Sequence, residues 1–228
     1  MSVWNDVLIG IAAVAGSVLF VRYVYMWNIY RRSIQKEIYS NFIEYQLRRR
    51  NLTRLSESYY LRSRFGEHRI VYQMAQAKNE SIPQAYVIII LTSGLYILAV
   101  KNQSGRGIAK RRGDFKQFFM DKNGRKREEK QFLFKNPLDE IRYFEKRLNE
   151  RFFNKEYPVT DIVVFPDHCE ISWDGDEDET ISVIKRKQVF GVLKEDFEKH
   201  KNTLTEEKVN SIFHALADEA IGLEKGDC

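Results

Sequence analysis

The sequence predicts an α/β domain with a small mixed sheet flanked by helices, preceded by an N-terminal transmembrane helix. Two runs rich in Ile, Val, Leu and Tyr, Tyr86–Leu91 and Leu95–Lys101, flank a short turn and indicate a buried hairpin. Short strand and helix patterns alternate after this hairpin, which favours a mixed sheet. Fifteen residues without a charge, Val7–Val21, indicate the transmembrane helix.

The composition fits one folded domain with appendages and gives no sign of a cofactor. The chain has 228 residues, of which 43% are hydrophobic, and its formal net charge is +5. Neither its two cysteines, Cys169 and Cys228, nor its four histidines have a paired spacing typical of metal ligands or of a disulfide framework. We therefore expect a reducing compartment, no metal site and no cofactor.

The N-terminal apolar segment is predicted to be a membrane anchor. A helix needs roughly 20 apolar residues to cross the hydrocarbon core, and the stretch from Trp4 to Trp27 is interrupted only by Asp6 and Arg22. A cleaved signal peptide would carry positive charge before its apolar core, whereas here the basic residues follow it. The positive-inside rule then predicts a single-pass protein of the cell membrane, with its N-terminus outside and its C-terminal domain in the cytoplasm.

A basic segment, residues 28–65, follows the anchor and holds nine Lys or Arg against three Glu. An apolar stripe at helical spacing runs through its first half, at Tyr30, Ile34, Ile38, Phe42 and Tyr45. Three interpretations remain open: a helix on anionic lipid, self-association as a short coiled coil, or a helix docked on its own domain. The chain is accordingly divided into an anchor (1–27), this segment (28–65) and a cytoplasmic domain (66–228).

Local patterns predict the remaining elements of the domain. Strands are expected around Ile108–Arg112, at Asp161–Phe165 and at Ile181–Ile184. Helices are expected at Gly66–Lys78, from Asn136-Pro137 onwards, at Val189–His200, and after a capping box at Thr203–Glu206. Between them lie a turn at Asp121–Gly124 and an acidic loop at Trp173–Glu179.

Four stretches in order resemble the nuclease-related domain family, usually called NERD. They are FGEHRIVYQM, GLYILAVKNQSGRG, KNPLDEIRYFEKRL and DIVVFPD, and the resemblance covers roughly Gly66 to Leu216. It implies a restriction-endonuclease-like fold and a metal-dependent phosphodiesterase acting on DNA. Such a site uses an Asp at the start of the hairpin, a Glu two residues before a Lys, and that Lys.

The chain departs from the family pattern at the positions that would hold the metal. With Lys101 on the family's lysine, Ala99 occupies the Glu position and Tyr86 the Asp position. Mg²⁺ is a hard ion that prefers oxygen ligands, so we expect no catalytic residues here and an inactive domain. Glu67 matches the acidic residue of the family's opening helix. Glu140 is the residue that would supply a metal-binding carboxylate from a different position. The short stretch 77–85 suggests that the first strand flanking the site is lost.

The basic stretch that follows the hairpin has two interpretations, nucleic-acid binding or a solvated rim around a core helix. Residues 101–130 hold eleven Lys or Arg against four Asp or Glu. The candidate nucleic-acid-binding residues are Lys101, Arg106, Lys110, Arg111, Arg112, Arg125, Lys126 and Arg127. The helical spacing of Phe115, Phe118 and Phe119 instead favours a core helix with a solvated basic rim.

The sequence favours a membrane-anchored, catalytically inactive NERD-like domain that acts as a protein-binding scaffold or adaptor on the cytoplasmic face. The acidic stretch Asp174–Glu179 adds charge for a partner or a second copy. The alternatives are nucleic-acid binding at the membrane through residues 101–130, or a residual metal-dependent nuclease.

Overall fold

Two β-sheets and a set of helices make up the protein, preceded by one long helix. The computed structural model describes residues 3–48, 56–75, 84–101, 105–119, 130–139, 141–142, 145–146, 157–174 and 181–226. The helices are α1 (Val3–Arg32), α2 (Gln35–Ile38), α3 (Phe42–Arg48), α4 (Tyr59–Phe65), α5 (Val189–Lys199) and α6 (Glu206–Gly226). Further helical residues lie at 137–139, 141–142 and 145–146.

The strands confirm the predicted mixed α/β class. They are β1 (His68–Ala75), β2 (Gln84–Leu91), β3 (Gly94–Val100), β4 (Arg106–Lys110), β5 (Phe115–Phe119), β6 (Lys130–Phe134), β7 (Val159–Phe165), β8 (Glu170–Asp174) and β9 (Ile181–Lys185). A large five-stranded sheet has the order β1-β2-β3-β7-β9, and a small four-stranded sheet has the order β6-β5-β4-β8. Each contains both antiparallel and parallel pairs.

The predicted hairpin is the centre of the large sheet. Strands β1, β2 and β3 form an antiparallel meander, and β7 then pairs with β3 in parallel. Both faces of β2 are buried, since Ile88 and Ile89 are each fully inaccessible although they point to opposite sides. This explains why β2 reads as an uninterrupted apolar run rather than an alternating one.

Each face of the large sheet has its own core. On one face, Val87, Ile89 and Leu98 pack with apolar residues of α1 to α5; we call this the helix-side core. On the other face, Ile88, Ile97 and Val163 pack with the small sheet and α6; we call this the sheet-side core. The sheet thus forms the middle layer of the domain.

The helix predicted at Gly66–Lys78 is wrong, because most of this stretch is strand β1. It pairs with β2 in antiparallel register, with Ile70 opposite Ile89 and Val71 opposite Ile88. Ile70 enters the helix-side core and its neighbour Val71 the sheet-side core, a placement that a strand achieves and a helix does not. The expected loss of the first strand is therefore also wrong, because β1 is that strand.

The apolar stripe of residues 28–65 lies on the protein's own sheet. The chain breaks after α1 into the short helices α2 and α3, so that the stripe is not one continuous helix. Tyr30, Ile34, Ile38 and Phe42 are all at most 5% exposed and belong to the helix-side core. Of the three open interpretations, docking on the protein's own domain is the one that this burial matches.

Polar caps fix the helices around the sheets. Asn136 caps the predicted helix start, since Leu138 N–H donates to its side-chain oxygen at 3.0 Å. The capping residue of α6 is Thr205, which accepts from Lys208 N–H at 3.2 Å, and not the predicted Thr203, whose hydroxyl donates to His200 O.

Trp173, predicted in a loop, lies in β8. The predicted turn 121–124, Glu140 and residues 175–180 lie outside the described residues.

Helix α1 contains a candidate membrane span at Val7–Arg32. Its most apolar window has a mean hydropathy of 2.1 and none of it is buried, unlike the core helix of a soluble protein. By length and composition it could cross a membrane, and a signal sequence near the N-terminus would pass the same test.

We predict that Gly94→Ala destabilises the protein by about 2 kcal/mol. A Cβ at Gly94 would lie 2.7 Å from the carbonyl oxygen of Pro158, and its φ is +154°. Denaturant titration of the full-length protein in detergent measures the free energy of unfolding. In the matched control, Gly191→Ala in α5, no atom lies within 4 Å of the new Cβ, and stability should rise by roughly 0.5–1 kcal/mol. A neutral Gly94→Ala would contradict the packing of this turn.

Candidate functional site

The positions that the family resemblance assigns to a nuclease's metal site lie at one end of the central hairpin. Tyr86 on β2 is directly opposite Ala99 on β3, so their side chains share the sheet-side face. Lys101 follows β3 immediately, and its N–H donates to Val164 O at 2.8 Å, which continues the parallel ladder with β7. The three residues assigned by counting along the sequence therefore lie at the same end of the hairpin.

The surroundings of this pair are apolar. Tyr86 is 3% exposed and Ala99 is 2% exposed, and both belong to the sheet-side core together with Val163 and Leu138. The small sheet and the helix that starts at Pro137 cover this face, so the pair is not at the bottom of an open cleft. Among the described residues, no group of three or more His, Cys, Asp or Glu is placed to hold a metal ion.

Glu67 lies just before β1 rather than on an opening helix, and its carboxylate is engaged by two arginines. Its oxygens lie 2.7 Å from Arg69 Nη1 and 3.3 Å from Arg62 Nη2. Glu57 contacts the same two guanidinium groups at 2.9 Å and 3.1 Å. This alternating network of four charges joins α4 to the start of β1, and it gives Glu67 a structural environment.

His68 is fully buried beside this network and is held by two backbone groups. Ser58 N–H donates to its Nε2 at 2.9 Å, and its Nδ1 lies 2.9 Å from Gly66 O. These partners assign the neutral tautomer with the proton on Nδ1. Burial lowers the pKa of the imidazole, partly offset by the hydrogen bond to Gly66 O.

The basic candidates are divided between the open face of the small sheet and the turn beside it. Arg106 and Phe118 are opposite each other on β4 and β5, and the guanidinium carbon lies 5.1 Å from the ring centroid. Ile108 is likewise opposite Lys116. Arg111 and Arg112 lie in the turn after β4, whereas Arg125, Lys126 and Arg127 lie outside the described residues.

The predicted core helix around the three phenylalanines is a strand. In β5, Phe115 is buried in the sheet-side core, and Phe118 points to the opposite, outer face. Burial alternates along this strand, since Phe115 and Gln117 are buried while Lys116 and Phe118 are partly exposed. The apolar residues themselves do not alternate in the sequence, so no period-two pattern indicated a strand. Lys116 and Phe118 therefore lie on the candidate surface, although neither was among the candidate residues predicted from the sequence.

Sequence reasoning also missed Arg186, which fastens the end of α1 to the domain. Its guanidinium lies 2.8 Å from Asp167 Oδ2 and 3.5 Å from Glu37 Oε1, and it donates to Arg31 O at 3.1 Å. Lys187 N–H donates to the other oxygen of Asp167 at 2.9 Å. These charged residues are far apart in sequence and share no regular spacing, so no local sequence pattern predicts their contact.

A helix, a three-stranded meander, a further helical segment and a strand parallel to the third form the core of this domain. This order, with Tyr86, Ala99 and Lys101 at one end of the central hairpin, defines a mixed α/β domain. The profile of the nuclease-related domain (NERD) matches residues 45–166, and the chain belongs to this family. No curated protein and no solved structure matches the chain.

The match begins within α3 and ends at the residue after β7. It therefore includes α4, whose Leu61 and Phe65 lie in the helix-side core. Residues 167–216, which the resemblance in sequence was expected to include, lie outside it. The two strands and two helices beyond residue 166 are thus not part of the matched region.

We predict that acid destabilises the protein through His68. Because the pKa of the folded-state imidazole lies below that of the unfolded chain, the unfolded state binds the extra proton first. Stability should fall as the pH drops from about 7 to about 5.5, with His68 contributing at most about 1.4 kcal/mol per pH unit. Denaturant titrations across this range measure the slope.

His68→Gln should lower stability at neutral pH but flatten this dependence, because it removes the group that titrates. The exposed His168 provides the matched control, and His168→Gln should keep the wild-type slope. Parallel profiles for wild type and His68→Gln would show that other groups cause the acid sensitivity.

Proposed function

We propose that the chain is a membrane-anchored, catalytically inactive NERD domain that acts as a protein-binding scaffold or adaptor on the cytoplasmic face. The observation that supports catalytic inactivity is the burial of Tyr86 and Ala99 in the sheet-side core. These are the positions at which the family's reaction would need two carboxylates.

The chemistry of the substituted positions supports inactivity. Mg²⁺ is held by carboxylate, carbonyl and water oxygens, and it must reach solvent and the phosphate. Alanine has no ligand atom, and a phenol remains neutral at pH 7. A lysine such as Lys101 repels a cation, so it cannot replace the missing ligands.

The packing of α1 supports a retained anchor. Its last turns are part of the domain, since Tyr30 is buried in the helix-side core and Arg186 binds Arg31 O. Removal of this helix as a signal peptide would expose that core. The basic residues Arg31, Arg32 and Lys36 follow the apolar run, and by the positive-inside rule this order supports a cytoplasmic domain.

The mixed charge of the small sheet's outer face favours a protein partner or a second copy over a polyanion. On neighbouring strands, exposed Arg106 on β4 is opposite exposed Glu170 on β8. Ile108 and Leu133 add apolar contact area to the same face, and Leu133 is 61% exposed. Protein interfaces combine such apolar centres with complementary charges.

Nucleic-acid binding is the second candidate, and the contact between Arg106 and Phe118 favours it. An aromatic ring beside a guanidinium on an open sheet face is a stacking platform for unpaired bases. Lys116 on the same strand would contact the phosphate backbone. Glu170 is the feature that opposes this interpretation.

We predict that full-length protein in detergent does not cleave single- or double-stranded DNA with Mg²⁺ or Mn²⁺, because neither Tyr86 nor Ala99 offers a carboxylate to the ion. Gel assays with excess enzyme and long incubation measure turnover. Cleavage that persists through purification and disappears in Lys101→Ala would contradict inactivity.

We predict that a photo-crosslinking amino acid at Lys116 or Glu170 forms a protein adduct in intact membranes. The matched control is the same amino acid at Glu195 on α5, which is 72% exposed and remote from this face. Nuclease-resistant adducts from the two face positions alone would support the scaffold, including adducts of two copies. Adducts that nuclease removes would favour the second candidate, which also requires a steep salt dependence of binding that Arg106→Gln reduces.

A further inference from the structure

A groove of about 500 Å³ lies between α1 and α3, where α1 leaves its apolar run. Its volume is in the range of small-molecule sites. It is lined from α1 by Leu19, Arg22, Tyr23 and Met26 and from α3 chiefly by Ile43 and Leu47. The groove therefore adjoins the surface of the candidate membrane span.

Helix α3 has two apolar faces, and only one of them is covered. Phe42 lies in the helix-side core and Tyr45 packs against it. Ile43 and Leu47, one helical turn apart, are 67% and 63% exposed. Since Leu19 on α1 is 65% exposed, an apolar surface continues from the anchor onto α3.

Arg22 places a cation at the edge of this surface. It follows the apolar run Val7–Val21 directly, and its exposed side chain lines the groove. Among the described residues, no carboxylate pairs with it in an ion pair. A guanidinium at this depth matches a lipid phosphate in charge and in hydrogen-bond geometry.

We propose that this groove binds an anionic phospholipid of the adjoining leaflet, with an acyl chain on Ile43, Leu47 and Leu19 and the phosphate on Arg22. Helix α3 then lies in the membrane interface beside α1. The occupant is lipid because the groove opens onto the surface of the anchor, where phospholipid is the neighbouring solvent. The inference rests on the anchor in the proposed function and adds a second attachment point.

Spin labels at single cysteines test the depth of α3 in the full-length protein. The parent is Cys228→Ser with the buried Cys169 retained, reconstituted in phosphatidylcholine vesicles with phosphatidylglycerol. The variants are Leu47→Cys on α3, Val14→Cys within the apolar run, and Leu133→Cys on the small sheet. Collisions with oxygen report the acyl region, and collisions with a nickel chelate report water.

We expect the labels at positions 14 and 47 to collide mainly with oxygen and the label at 133 mainly with nickel. An oxygen-exposed label at 14 with a nickel-exposed label at 47 would overturn the lipid site and leave the anchor intact. A label at 47 shielded from both reagents would also overturn it, because a protein contact would then cover α3. A nickel-exposed label at 14 would overturn the anchor itself.

Arg22→Gln tests the headgroup contact. Native mass spectrometry counts the phosphatidylglycerol and phosphatidylcholine retained by detergent-purified protein from the same mixed vesicles. The preference for phosphatidylglycerol should fall about fivefold, the effect of one arginine near an anionic surface. Arg112→Gln, in the exposed turn after β4, is the matched control and should not change it. Equal retention in both variants would overturn the role of Arg22.

Discussion

The structure depends on the burial of one hairpin from both sides. Strands β2 and β3 have no polar face, so two separate layers must cover them. The helix-side layer consists of the end of α1, the helices α2 to α4, and α5. The sheet-side layer consists of the small sheet and α6. Burial of each Ile or Leu side chain of the hairpin contributes about 1.5–3 kcal/mol to the stability of the fold. Displacement of a covering segment would therefore be strongly unfavourable.

The same constraint shapes the nuclease-like positions. A metal site needs a polar edge that is open to water and phosphate, whereas this hairpin continues its apolar character through Tyr86 and Ala99. Carboxylates there would have to be desolvated, which is strongly unfavourable. The methyl group of Ala99 and the phenol ring of Tyr86 can be buried without removing a charge from water. At the two positions that the family resemblance assigns to the metal, core packing therefore takes the place of a polar edge open to solvent.

The sequence predicted those parts of the fold whose pattern admits one interpretation. Two apolar runs around Gly94 fit a buried hairpin, and Asn136-Pro137 fits a helix start; the structure has both. The pattern Ile70-Val71-Met74 suits a helix or a strand equally, and pairing with β2 decides between them. The hairpin that brings Tyr86 opposite Ala99 was predicted, but their apolar surroundings come from residues on other strands, such as Ala109 and Val163.

The attachment of the domain to the end of α1 was not predictable from the sequence, and it bears on the proposed scaffold role. Arg186 joins the last turn of α1, Glu37 in α2 and Asp167 after β7, three segments with no common pattern. Tyr23 and Trp27 also pack edge-on against Phe42 of α3. Helix α1 is therefore packed on the domain at its C-terminal end. A partner on the small sheet would be held in a defined direction relative to α1, and tethering of that kind raises its effective concentration at the membrane.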